Sequence, residues 1–405
     1  MGTEFVLVFP INYKSNKKVH LYIVSKEKTF TGNVTSPYTT VNQNFSTSNG
    51  YKTVSLSPNV QLSEGRSDKV IFVKTDKPVS VYGFDTYSCC SGEAFNVLPK
   101  PFLGKHYIAF SVDPHFDSYL VIISTAQGTK VSINWKLSKY VTVEGNRYLN
   151  GDKMTLTIDD MESIQILSTG DITGTTITST NPVAVLSGNK CPDLTSSSAC
   201  NQIIEYLQPS EKCGRRFIIP PMYGDRDSTK LLKVVATANR TRLTIRGGSL
   251  KVNRTIDMDD VDKTRLKMYE TYAVEATENV CVIVAADIGH STNDPVLTQV
   301  PALGQFVHEV VIPKPTIETF SNFVSIVANS SALSDLRINN QAPVTNDLKR
   351  ITIDFAEYVS FWTPLENGTS TYHINATSPT SYFGVIAHGS KHSQAYAFPV
   401  GLKLG

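Results

Sequence analysis

No stretch of this 405-residue chain holds the roughly 18 consecutive apolar residues that a membrane-spanning helix requires; VCVIVAADI is the best candidate and is too short. Nor is there charge of one sign to spare. Lys and Arg number 38 against 36 Asp and Glu, a formal +2, which gives no electrostatic reason to bind nucleic acid. GxSxG, HExxH, GxxxxGK(S/T) and CxxC…CxxC are all missing, which removes the usual signatures of hydrolases, zinc proteases, phosphate loops and zinc ribbons. The aspartates of YGDRDS (Asp225, Asp227) and DMDDVD (Asp257, Asp259, Asp260, Asp262) lack the spacing of an EF-hand. They read as solvated turns, with calcium as the alternative. In HGSKH, His388 and His392 follow a strand and flank a glycine, so a surface loop is expected rather than a metal-binding helix face. No enzyme, cofactor or metal is expected. Met1 runs straight into GTEFVLVF without the basic, apolar and cleavage regions of a leader; this fits a cytosolic protein, or a secreted one whose leader has been removed.

What is present is a folded, β-leaning composition: 40% hydrophobic, 18% charged, rich in Thr, Ser, Val and Tyr. The length calls for roughly two to four domains. KPVSVYGFD, NPVAVLSG, NVCVIVAAD and YFGVIAHGS recur along the chain, with central valines at Val79, Val183, Val280 and Val385. Each is followed by a variable loop and an apolar-Pro segment: FNVLPKP, IEYLQPS, LTQVPAL and AYAFPVG. In the second copy the apolar run is expected to end in a Ser187-Gly188 turn. LGKHYIAFSV, CGRRFIIPPM and LGQFVHEVVI then restart the pattern that GTEFVLVFPI begins. Between restarts lie strand-turn-strand pairs such as SYLVIISTAQGTKVSINW, alternating at period two. TFTGNVTSPYTTVNQNFSTSNGYK fits this scheme loosely and reads as a long loop. The expected fold is all-β, with four tandem modules of some seven strands at 2–103, 104–213, 214–303 and 304–405. β-Sandwich-like modules are the first reading; an eight-bladed β-propeller built from paired blades is the alternative.

The six cysteines and seven Asn-X-Ser/Thr sequons (Asn33, Asn44, Asn239, Asn253, Asn329, Asn367, Asn375) favour a secreted glycoprotein. Cys191 and Cys200 flank a turn-rich loop with no further metal ligand nearby, so a disulfide is expected there, and a second between Cys213 and Cys281. Cys89 and Cys90 are adjacent; they pair with each other, elsewhere, or between molecules. Lys14, Lys17 and Lys18 form one short basic cluster. In NRTRLTIRGG, Arg240, Arg242 and Arg246 fall on one face of a strand and Leu243 and Ile245 on the other. That face is either a solvated exterior or a contact for sulfated or sialylated glycans.

The string NPVAVLSGNKC…ACNQIIEYLQP…GRRFIIPP, with GTEFVLVFPINY and LPKPFLGKHYIAF, resembles the IgG Fc-binding domain family of mucus proteins and their invertebrate relatives. Cys191, Cys200, Glu205 and Pro209 fit its SGxxC…C(N/D)xxxExLxP string. The resemblance implies a secreted, disulfide-bonded recognition or matrix domain, of a kind often joined to von Willebrand type D, EGF-like or mucin-associated domains and not known as an enzyme. The GDPH self-cleavage string of the type D domains is absent. Two functions are therefore carried forward. One is recognition of an extracellular glycoprotein, glycan or immunoglobulin-like partner through surface loops, with Asp193, Ser197, Glu93, Arg240, Arg242 and Arg246 as candidates. The other is a structural subunit that self-associates into a fibre or secreted matrix polymer, pairing through an exposed GTEFVLVF edge.

Overall fold

Period-two alternation folds as expected. Lys153–Ile158 (KMTLTI) turns Met154, Leu156 and Ile158 inward and the residues between them outward, and Thr129–Asn134 does the same with Val131 and Ile133. The computed structural model describes residues 1–405 apart from 14–17, 39–40, 88–90, 195–199, 289–293, 316–319, 366–369 and 392–393. Cys89, Cys90, Ser197, Asn367, Lys14, Lys17 and His392 lie outside the described residues. The chain is all-β, its described helical segments being short 3-10 turns. It divides into two compact units, Met1–Glu211 and Lys212–Gly405.

The long apolar runs explain the topology. Strand Ile71–Tyr87 pairs through its first half with Gly2–Leu7 and Phe30–Thr35, and through its second with Lys18–Val24 and Ser91–Val97. Strand Thr176–Pro192 binds Gly104–Ile108 and Thr129–Asn134, then Pro114–Ser124 and Ile203–Tyr206. In the second unit, Tyr272–Ile288 binds Gly214–Ile219 and Thr241–Gly247, then Thr229–Ala236 and Asp294–Gln299. Toward the C-terminus two strands divide this task. Thr371–Ala376 pairs with Glu309–Pro313 and Leu336–Ile338, while Phe383–Lys391 pairs with Ser321–Asn329 and Gln394–Val400.

Each unbroken long strand changes partners at a register jump. Gly2 faces Val79 but Glu4 faces Lys74; Val183 faces Gly104 but Thr178 faces His106; Gly214 faces Val280 but Arg216 faces Glu275. Pro78 and Pro182 sit inside the first two jumps. A residue without an N–H is tolerated where the ladder is already interrupted. Near the C-terminus the corresponding bridge joins Val307 to Phe383, two residues before Val385.

Four expectations need correction. Residues 30–47 are not a long loop: Phe30–Thr35 and Asn42–Thr47 form a hairpin whose Phe30, Val34 and Phe45 turn inward. Its exposed Thr and Asn positions hide the strand signal. Ser187 and Gly188 do not make a turn; they continue the long strand. Gly188 is needed because a Cβ there would lie 1.9 Å from the carbonyl oxygen of Ile203, a close backbone approach of paired strands. The GTEFVLVF segment is not an exposed strand: Phe5, Val6, Leu7, Val8 and Phe9 are all buried, although strand Gly2–Leu7 has the long strand Ile71–Tyr87 alone as its ladder partner. The Tyr206 hydroxyl donates to the Val6 carbonyl at 2.9 Å, and the Tyr206 ring stacks on Phe95 at 6.4 Å. Finally, His388 is not on the surface; it is fully buried within strand Phe383–Lys391.

The core of the second unit gathers Phe217, Leu232, Val234, Leu243, Ile245, Val282 and Ile386. Each such side chain contributes about 1.5–3 kcal/mol on full burial. All but Ile386 come from Tyr272–Ile288 and the strands paired with both of its halves; Ile386 comes from strand Phe383–Lys391.

Candidate functional site

The two expected disulfides are present. Cys191 and Cys200 are bonded with Cα atoms 5.1 Å apart, and Cys213 and Cys281 with Cα atoms 5.0 Å apart. Cys281 neighbours Val280, the partner of Gly214 at the register jump, so the second bond holds strand Gly214–Ile219 where the long strand changes partners. Of the loop candidates, Asp193 is exposed, its N–H donating to the Asp113 carbonyl at 2.7 Å. Glu93 is a correction: it is fully buried in strand Ser91–Val97 and offers no surface. SGEAFNV is interior: it pairs with the long strand along its whole length, and its Phe95 packs against the rings of Phe9 and Tyr206.

The arginine face is borne out for two of its three members. In Thr241–Gly247, Leu243 and Ile245 are buried while Arg242 and Arg246 lie on the other face. Arg240 departs from the expectation: it precedes the strand in a turn, with φ 57° and its N–H bound to Asp257. DMDDVD is likewise turn machinery. Asp260 accepts the Asp257 N–H at 3.1 Å, and Asp262 is buried against Arg254 and the Thr264 hydroxyl.

What the sequence did not disclose is a groove of about 550 Å³ at this face. Strand Gly214–Ile219 supplies Arg215 and Arg216, and Thr241–Gly247 supplies Arg242 and Thr244. Leu250–Ile256 adds Asn253, Arg254 and Thr255, and the long strand adds Glu275 and Thr277. Four of the guanidinium groups at or behind this face are engaged. Arg215 pairs with Glu278 at 3.2 Å, Arg254 with Asp262, and Arg246 with Glu275 at 2.8 Å. Arg216 grips Asp354 with two nitrogens, at 2.9 and 3.3 Å, and also donates to the Ala276 carbonyl at 2.8 Å. Arg242 differs. Its backbone N–H donates to Thr277 Oγ1 at 3.0 Å, but its exposed guanidinium has no partner among the described residues. Asn253, an expected glycosylation site, is exposed in the same groove and accepts from the Thr244 hydroxyl at 2.9 Å.

Arg216 and Arg246 also hold a hairpin at the groove. Ile353 pairs with Ala356 across the two residues Asp354 and Phe355, at φ 48° and 66°. Arg246 donates to the Thr352 carbonyl beside them. This is the geometry of a type I′ turn, which favours Asn-Gly. A phenylalanine in the left-handed region is an outlier, and its side chain is entirely exposed, at 104%. No periodicity rule would have found it, because the signal is a φ value.

A second group of ionisable residues lies inside the same unit. The Lys230 ammonium donates to the carbonyls of Pro220, Met268 and Glu270; burial lowers its pKa to about 7. His388 Nε2 accepts the Tyr223 N–H at 3.2 Å, and burial lowers its pKa to about 4. Asp294 is raised to about 8 by burial and then by the Asp287 carboxylate. None of the three reaches solvent; their roles are internal.

The chain is similar in sequence to known proteins. The family described as "IgGFc binding protein" matches residues 93–389. The human IgGFc-binding protein is 25% identical over 279 residues, which is 68% of this chain and 5% of that protein. The chain thus spans about one-twentieth of the length of that curated relative. Among solved structures, the major pilin of Streptococcus pyogenes aligns over 98% of both chains at 9% identity with a TM-score of 0.17. A Ca2+-stabilised, ice-binding adhesin of an Antarctic bacterium aligns over 99% of this chain and 98% of its own at 10% identity and a TM-score of 0.13. Neither likeness supports an argument about fold or function. The family match covers most of the chain, and the chain belongs to the IgGFc-binding protein family.

Proposed function

We propose that this member of the IgGFc-binding family is a secreted recognition domain that captures a glycoprotein partner, immunoglobulin-like proteins included, on the arginine groove of residues 212–405. The observation that carries the reading is the guanidinium of Arg242, without a partner among the described residues, in a groove two of whose strands are joined by the buried Cys213–Cys281 bond. A cation presented on a rigid sheet loses little freedom when an anionic group binds, so its contribution to affinity is retained. The family's extracellular binding role and the two disulfides support secretion. The recurring bridges of Gly2, Gly104 and Gly214 to Val79, Val183 and Val280, with Val307 to Phe383 in the corresponding place near the C-terminus, support four modules at 2–103, 104–213, 214–303 and 304–405. Exposed Asn44 and Asn239 are the sequons outside the groove best placed to carry glycan. Burial of Phe5 to Phe9 weighs against the polymer reading, which needs that segment accessible. The test is biolayer interferometry of the non-reduced chain on immobilised IgG Fc at rising salt. Saturable binding that weakens with ionic strength is expected. An absence of saturable binding at low salt would remove Fc as the partner.

A further inference from the structure

We infer that the groove takes an acidic saccharide, a sugar bearing sulfate or carboxylate, with its anionic group on Arg242 and its ring face on Phe355. This rests on the reading of the groove as the recognition surface and names what that surface would grip.

Three independent features converge. The first is charge. Among the arginines lining the groove, Arg242 is the one whose guanidinium has no partner among the described residues, and a planar fork of donors matches a carboxylate or sulfate bidentately. The second is the remaining lining. Thr244, Asn253, Thr255 and Thr277 offer hydroxyl and amide groups, which suit the hydroxyls of a sugar better than they suit the apolar core a protein interface requires. At about 550 Å³ the groove lies within the ordinary size range of small-ligand sites. The third is Phe355. A wholly exposed aromatic ring held in left-handed backbone geometry costs stability and covers nothing, and such strain concentrates at ligand sites. The hairpin carrying it is clamped to the groove by Arg216 on Asp354 and by Arg246 on Thr352. Phe355 does not itself line the groove; its hairpin is tied through Asp354 to Arg216, which does, so the exposed ring sits on a segment at the groove's edge, where it would offer an apolar face to a sugar whose charge sits on Arg242.

Asn253 opens into the same space, so a glycan attached there would compete for the groove. The test therefore uses the full non-reduced chain carrying Asn253→Gln. Its probes are 3′-sialyllactose and a heparin octasaccharide, with lactose as the neutral control, measured by isothermal titration calorimetry. At least one acidic probe is expected to bind while lactose does not. Arg242→Ala should weaken that binding at least tenfold. Phe355→Ala should weaken it several-fold without altering its salt dependence, and Arg240→Ala, an exposed arginine outside the groove, should leave it unchanged. Sialyllactose binding assigns a carboxylated sugar, and heparin binding alone a sulfated one. Equal loss from Arg240→Ala and Arg242→Ala would mean diffuse attraction to a polyanion and would overturn the assignment. So would binding of lactose equal to the acidic probes, or indifference to Phe355→Ala. Immobilised IgG Fc separates the two levels of the argument. Fc binding that depends on Arg242 but is not displaced by either acidic probe would preserve the recognition reading and sink the saccharide. Saccharide binding without Fc binding would do the reverse for the Fc partner.

Discussion

Replacing Phe355 with glycine should make the protein more stable, although it deletes an aromatic side chain. The ring is 104% exposed, so its removal forfeits no buried area. The backbone at Phe355 sits at φ 66°, following Asp354 at 48°. A residue with a Cβ in that region costs about 1–2 kcal/mol, and glycine does not incur the cost. Glycine returns about 0.5–1 kcal/mol through the greater freedom of its unfolded chain. The net expectation is about 0.5–1 kcal/mol of stabilisation, or an increase in Tm of about 2–3 °C for a unit of this size. Phe355→Ala keeps the Cβ and the strain and should leave stability within about 0.5 kcal/mol. Urea unfolding monitored by circular dichroism reads both variants on one scale. Loss of more than about 0.5 kcal/mol in the glycine variant would show that the ring packs on something, and the strained-display argument would fall with it.

Three further outcomes follow from the interior. Opening Cys213–Cys281 as the double alanine variant should cost about 4 kcal/mol in the chain-entropy account, given a sequence separation of 68; opening Cys191–Cys200, with a separation of 9, should cost nearer 2.5 kcal/mol, and equal losses would count against that account. Gly188→Ala must move the Ile203 backbone and should destabilise by about 3 kcal/mol or more, measurable as a lower midpoint in the same urea series. Asp294, raised to about 8 when folded from an ordinary unfolded value near 4, binds more protons in the folded state than in the unfolded state across that window. Its contribution to stability therefore falls as pH rises from about 4 to about 8, by up to about 1.4 kcal/mol per pH unit. The stability of the wild type minus that of Asp294→Asn should decline over this range; a flat difference would mean the carboxyl is already ionised when folded.

The fold class and both described disulfides were legible because period-two alternation and cysteine context are local signals. The Phe30–Thr47 hairpin was not, since its outward positions are Thr and Asn and only Phe30, Val34 and Phe45 report an inner face. Gly188 was misread as a turn for the opposite reason: glycine marks both turns and close strand approach, and only the Ile203 carbonyl distinguishes them. Glu93 and His388 were placed at the surface because charged and polar residues usually lie there. Their burial depends on which strands cover them, and that is non-local information. The groove was half legible. Alternation put Arg242 and Arg246 on one face, but Arg215 and Arg216 join them from another strand and Phe355 from a distant hairpin.

The central claim is that this groove is the recognition surface. It is tested most directly by measuring the affinity of the non-reduced chain for immobilised IgG Fc alongside Arg242→Glu and Arg240→Glu. The account predicts saturable binding by the unaltered chain, weakened at least tenfold by the Arg242 reversal and little changed by the Arg240 reversal. Saturable binding of equal strength in all three would place recognition elsewhere on the molecule and contradict the account.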